Sequence, residues 1–147
     1  MASGSVNLTW ARQEECWAGI AQGLHHFCNF ELRTAEQVYQ PFITDSPLAS
    51  FLYAEVAFMK AILSEEKAVI DDAKRKLEAA VKLGETVLNR IGKVPPSQMP
   101  SEPALKTSSV IYSTRMAQGE AALWLGSLRL KNQDNVKGVY WLRRAYK

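Results

Sequence analysis

The densest group of side chains able to do chemistry is His25, His26, Cys28 and Glu31. A histidine and a cysteine three residues apart share one face of a helix and could supply two of the four ligands a zinc ion takes. Two more are required. Cys16 lies twelve residues earlier, about 18 Å away along a helix, so it cannot complete the set. Trp17, Phe27 and Phe30 give the neighbourhood the composition of an aromatic core edge, and neither cysteine has an activating base beside it in sequence. The acidic pairs Glu65-Glu66 and Asp71-Asp72 are adjacent, so on a helix they diverge by about 100° and cannot share a proton. Glycines are isolated, and no phosphate-cradling loop occurs. These residues predict no catalytic group, no metal and no cofactor.

A second set joins Arg129, Lys131, Lys137, Arg143, Arg144 and Lys147 with Tyr140, Trp141 and Tyr146. Basic and aromatic residues together suit a lipid headgroup surface, which makes a peripheral membrane-binding protein the alternative reading. The competing account is a helical end whose cations complement a helix C-terminus. A net charge of +3, with cations mostly dispersed among acids, is too small to imply a nucleic acid. The start lacks a basic segment followed by an apolar run, and Ala2 excludes N-myristoylation, so the expected location is cytoplasmic. Cys16 and Cys28 are then expected as free thiols, and the sequon Asn7-Leu8-Thr9 carries no weight.

The elements that must position these residues are helical. With 147 residues, 47% of them hydrophobic, the chain has the material for one domain. Its centre is Ser46 to Leu63, introduced by Asp45, Ser46 and Pro47 and carrying only Glu55 and Lys60 as charges, which predicts a helix buried nearly all round. After a tail at 1–8, apolar spacing predicts a helix from Thr9 to about Cys28, a turn around Asn29, and a second helix from Leu32 to Phe42. A fourth begins at Glu65-Glu66 and runs to Arg90 or Ile91, where Gly92 ends it. Four prolines make 92–103 a loop. Helices from about Leu105 to Leu130 and from Val136 onward complete an all-α chain of three antiparallel helix hairpins occupying 9–147.

Small residues mark the same point in each pair: Gly23 twelve before Ala35, Ala57 sixteen before Ala73, Gly126 twelve before Gly138. Each second one is followed four residues on by a bulky apolar side chain, Tyr39, Leu77 or Leu142. Pro47 falls where a 34-residue tetratricopeptide repeat would end its second helix. Two longer segments, DSPLASFLYAEVAFMKAILSEEKAVIDDAKRKLEAAVKLGE and GEAALWLGSLRLKNQDNVKGVYWLRRAYK, resemble the tetratricopeptide repeat protein 39 family, which is related to fungal inclusion-body-clearance proteins. The similarity covers about residues 14 to 147 and corresponds to the N-terminal part of longer helical-repeat proteins.

The resemblance implies a right-handed tetratricopeptide-repeat-like array and a non-enzymatic scaffold or adaptor, with links to lipid metabolism, lipid droplets and protein turnover. It also implies a concave face at Trp17, Ile20, Leu24 and Phe27, then Phe51, Ala54, Phe58 and Ala61, then Glu120, Leu123, Ser127 and Leu130. That set is mostly apolar and holds no Lys, Arg or Asn to clamp a carboxylate, so an apolar helix or segment of a protein partner is the guest it suits. The same residues could instead be the closed core of a bundle. Because Val139, Leu142 and Tyr146 lack a polar cap, self-association through the C-terminal end is expected as well.

Overall fold

The computed structural model describes residues 10–93, 104–131 and 135–145. They form α1 (Trp10–Cys28), α2 (Leu32–Tyr39), a 3-10 turn at Gln40–Phe42, α3 (Pro47–Leu63), α4 (Lys67–Ile91), α5 (Ala104–Lys131) and α6 (Asn135–Ala145), with no strand among the described residues. The expected tail, nearly all of the proline loop and 132–134 lie outside them. α1 packs on α2, α3 on α4 and α5 on α6, while α2 and α4 each also meet the helix that follows and α3 packs on α5.

The central helix starts as its sequence dictates. Ser46 Oγ accepts the Ala49 N–H at 3.2 Å, and Pro47 opens the first turn. Asp45 is drawn away from capping by Arg12, whose Nε donates to it at 2.7 Å. Phe51, Leu52, Ala54, Val56, Ala57, Phe58 and Ala61 are all buried, so α3 is walled in on most sides. α4 buries Ile70, Ala73, Leu77, Ala80, Val81 and Val87 along one stripe. Away from that stripe Arg75 pairs with Asp72 at 2.9 Å within the helix, while Lys76, Glu78 and Glu85 reach partners on α2, α5 and α6.

Two boundaries differ from the sequence expectation. The second helix stops at Tyr39 and tightens into the 3-10 turn, because Pro41 has no N–H to continue the α ladder. Gly92 does follow α4, but at φ −67°, with its N–H donating to Leu88 O at 3.0 Å, so the helix end makes no use of glycine's left-handed freedom. That conformation occurs instead at Phe30, φ 59°. The Glu31 N–H donates to His26 O at 2.9 Å and the Phe30 N–H to Phe27 O at 3.0 Å, closing α1 with a Schellman arrangement built on a phenylalanine.

The small-residue spacing has a direct structural meaning. A Cβ on Gly23 would lie 2.1 Å from the Tyr39 ring, and one on Gly126 would lie 2.9 Å from Leu142 and 3.1 Å from Gly138 O. The small residue on the first helix of a pair thus receives the bulky residue four positions past the small residue on the second. In the middle pair Ala57, Ala73 and Leu77 are likewise buried.

Candidate partner-binding face

α3 and α5 lie side by side and run in the same direction. Midway along them, the Phe58 and Trp124 rings stack with centroids 4.6 Å apart. Farther toward both C-termini, Lys131 Nζ donates to the carbonyls of Ala61 at 3.2 Å, Ile62 at 3.1 Å and Ser64 at 3.4 Å. A cation from α5 therefore closes the negative end of α3 and holds the two helices in register.

In that register, the turn before the stack carries Glu55 on α3 and Glu120 on α5. Half-buried Met59 and exposed Ile62 continue the open edge of α3, and exposed Met116, half-buried Leu123 and exposed Leu130 flank Glu120 on α5. α1 contributes exposed Trp17 and Leu24, at 38% and 39%. The face is apolar apart from its two carboxylates and Ser127.

The partner-contacting set read from the repeat rule is divided by the structure. Trp17, Leu24 and Leu130 are exposed, and Phe27 and Leu123 are half-buried. Ile20, Phe51 and Phe58 belong to the core, with Phe51 at 2% and Phe58 at 5%. α3 is flanked by α2, α4 and α5, so the rule's positions on it face neighbours, and the open edge passes to Glu55, Met59 and Ile62. The signal that could have found this edge is Glu55 itself, since an acid in an otherwise apolar helix marks the side with least burial.

The electrostatics of the face follow from partial burial. Burial, and then the Glu120 charge, hold the Glu55 carboxyl above the usual carboxylate range. Burial, and then Glu55, push the Tyr39 phenol far above its ordinary value. Tyr39 is 1% exposed, and its hydroxyl has no hydrogen-bond partner among the described residues.

The histidine–cysteine group is otherwise engaged. His26 Nδ1 pairs with Glu31, and Asn29 Nδ2 lies 3.3 Å from His25 Nε2, while Cys28 is exposed. Cys16 is buried, which pushes its thiol up and away from nucleophilic use. Among the described residues, no three His, Cys, Asp or Glu side chains are placed to share a metal ion.

Several cations of the basic-aromatic set serve internal contacts. Arg129 pairs with Glu78, Lys131 closes α3, and Arg144 pairs with Glu85 while lying 5.3 Å from the Trp141 ring centroid. Exposed Arg143 lines a cleft of about 740 Å³ with Arg115, Gln118 and Tyr140. Lys147 and Tyr146 are outside the described residues, and no described helix is long and apolar enough to cross a membrane.

No curated protein and no solved structure matches this chain. The family model described as Iml2/Tetratricopeptide repeat protein 39 matches residues 21–147, nearly the span over which the sequence resembles that family. An all-helical chain with small-residue locks in its first and last helix pairs, matched over most of its length, belongs to the Iml2/tetratricopeptide repeat protein 39 family.

Proposed function

We propose that the chain is a non-enzymatic helical-repeat adaptor. In this reading its three helix pairs stack antiparallel in a right-handed array, and the α1–α3–α5 side binds an apolar segment of a protein partner. One observation carries it: the first helix of each pair buries one face in the core and leaves apolar side chains exposed on another, Trp17 and Leu24 on α1, Ile62 on α3, and Met116 and Leu130 on α5. Such side chains in water favour a protein contact, and tetratricopeptide-type repeats use concave surfaces of this kind. The family's links to lipid metabolism, lipid droplets and protein turnover suggest a cytoplasmic process in which the adaptor would act. Exposed Val139 and Tyr140 on α6 support self-association at that end.

The test compares the chain with Trp17→Asp and Leu130→Asp variants. Both side chains are more than a third exposed, so helicity and Tm should be retained while partner capture is lost. Unchanged capture by both folded variants overturns the reading. The alternative, an anionic membrane surface, rests on Arg115, Arg143 and Tyr140 around the α4–α5–α6 cleft. Co-sedimentation with phosphatidylserine vesicles that is sensitive to salt and lost on Arg143→Glu would support it, and no pelleting at low salt would remove it.

A further inference from the structure

The proposed groove explains exposed apolar residues, but not why it carries two carboxylates near enough for the Glu120 charge to act on Glu55. The Phe58–Trp124 stack and the Lys131 closure fix α3 and α5 in parallel register, which sets Glu55 and Glu120 beside one another one turn before the stack. Neither forms an ion pair among the described residues. Elsewhere on the chain carboxylates that bridge helices find cations, as Glu36, Glu78 and Glu85 do. Glu55 is half-buried and Glu120 exposed, so their mutual repulsion is only partly screened. From α2, the Tyr39 hydroxyl lies within electrostatic reach of Glu55 and is also unpartnered among the described residues. An uncompensated acidic pair therefore sits in a surface otherwise lined by Met59, Ile62, Met116 and Leu123, with the buried, unpartnered Tyr39 hydroxyl beneath Glu55's end of it.

We propose that this face receives an amphipathic helix of a partner protein whose apolar stripe is interrupted by one central Lys or Arg, and that the cation lies between Glu55 and Glu120. The inference rests on the adaptor reading and adds the charge of the guest. An apolar stripe alone would cover both carboxylates with hydrocarbon and deepen their desolvation. An acidic guest would add a third negative charge. A cation brings opposite charge to both carboxylates as water leaves, so the pair acts as a selector more than as a source of raw affinity. Arginine, with a planar fork of donors, can address both carboxylates at once.

The test uses three synthetic 18-residue helical peptides sharing one Leu/Ala/Phe stripe and differing at a single central stripe position, Arg, Gln or Glu. Binding to the full chain and to the Glu55→Gln/Glu120→Gln double variant is read by fluorescence anisotropy at about 0.1 M salt. The Arg peptide should bind at least ten-fold more tightly than the Gln peptide, and the Glu peptide most weakly. The double variant should keep its fold, because the substitution removes a repulsion, and the three affinities should converge. Equal binding of all three peptides to the wild-type chain overturns the charge selection while leaving the adaptor reading intact. No binding by any peptide overturns both. A preference for Arg that survives the double variant places the selecting charge elsewhere and also overturns the proposal. If sedimentation shows a dimer that the peptides dissociate, the face is occupied by a second copy, and the partner helix proposed here is wrong.

Discussion

The α1–α2 pair and the α5–α6 pair share a spacing of small residues but are fastened differently. In the first, aromatic rings lie over glycine: Tyr39 over Gly23, and Phe42 against Gly19, where a Cβ would come within 2.2 Å of the ring. In the last, two glycines let backbones approach, Gly126 near Gly138 O, and leucines fill the space around them. Their attachments to the centre also differ. α1 meets α3 sparsely, and the first pair adds a set of polar contacts to the burial of Ile20, Ala35 and Tyr39 in the common core. Arg12 reaches Asp45 and donates to Pro41 O at 2.7 Å, and Glu36 accepts from Lys60 at 2.7 Å and Lys76 at 2.9 Å. α5 is attached through the Phe58–Trp124 stack and a capped helix end. One repeat unit can therefore add interhelix charge pairs to its apolar docking and another a ring stack and a capped helix end, without altering the pattern that pairs the helices within each.

The largest effect should come from the apolar joint. Phe58→Ala removes a fully packed ring from the contact between α3 and α5 and should cost about 3–5 kcal/mol, enough to unfold a marginal domain. Leu123→Asp, on the half-buried side of α5, should leave the chain folded, as thermal denaturation by circular dichroism would show. If Phe58→Ala melts near wild type, the stack does not dominate the joint between α3 and α5.

The locks come next. Gly23→Ala should cost about 1–3 kcal/mol, because the Tyr39 ring that must move is itself buried, and the better helix propensity of alanine offsets only part of this. Gly126→Ala should cost less, since half-buried Leu142 can change rotamer. Equal losses in chemical denaturation would mean that the Gly138 carbonyl, and not Leu142, sets the limit at the second site.

The polar joint should show a smaller effect with a distinct dependence on conditions. Burial alone would raise the Glu36 carboxyl, but its bonds to Lys60 and Lys76 outweigh this and hold it below its ordinary value near 4.5. A carboxyl lowered on folding stabilises the protein above its unfolded value and loses that contribution as pH falls through the folded one. Glu36→Gln should therefore cost about 1 kcal/mol at pH 7 and progressively less below pH 4.5. High salt should narrow the same difference. A constant difference across pH would show that the joint depends on packing and not on charge.

These differences show what could be read from the chain beforehand. The helix order was legible because capping signals and apolar period agree, as at Ser46, Pro47 and the stripe of α4. The spacing of Gly23, Ala35 and Tyr39 already encoded a close approach. The open edge of the face was less legible, because a repeat rule gives positions relative to an ideal unit, while Phe51 and Phe58 respond to their actual neighbours on both sides of α3. Glu55 and Glu120 are 65 residues apart in sequence, and only the parallel register of α3 and α5 brings them together. The partners of the α5 and α6 cations were hidden for a related reason: Glu78 and Glu85, which pair with Arg129 and Arg144, are visible only once α4 lies beside them.

The smallest effect, and the only one of opposite sign, concerns the turn of the first pair. Phe30 holds a left-handed conformation at φ 59°, where a side chain crowds the following carbonyl at a cost of about 1–2 kcal/mol. The ring is 83% exposed, so it regains little of this through burial. Glycine would relieve the strain and keep the backbone bonds from Glu31 to His26 and from Phe30 to Phe27. It would also enlarge the entropy of the unfolded chain, which takes back about 0.5–1 kcal/mol. Phe30→Gly should thus stabilise by about 0.5–1 kcal/mol, raising Tm by roughly 1.5–3 °C for a chain of this size. A fall in Tm would show that the ring makes a stabilising contact its exposure conceals, and the first pair would then depend on aromatic packing at its turn as well as at its locks.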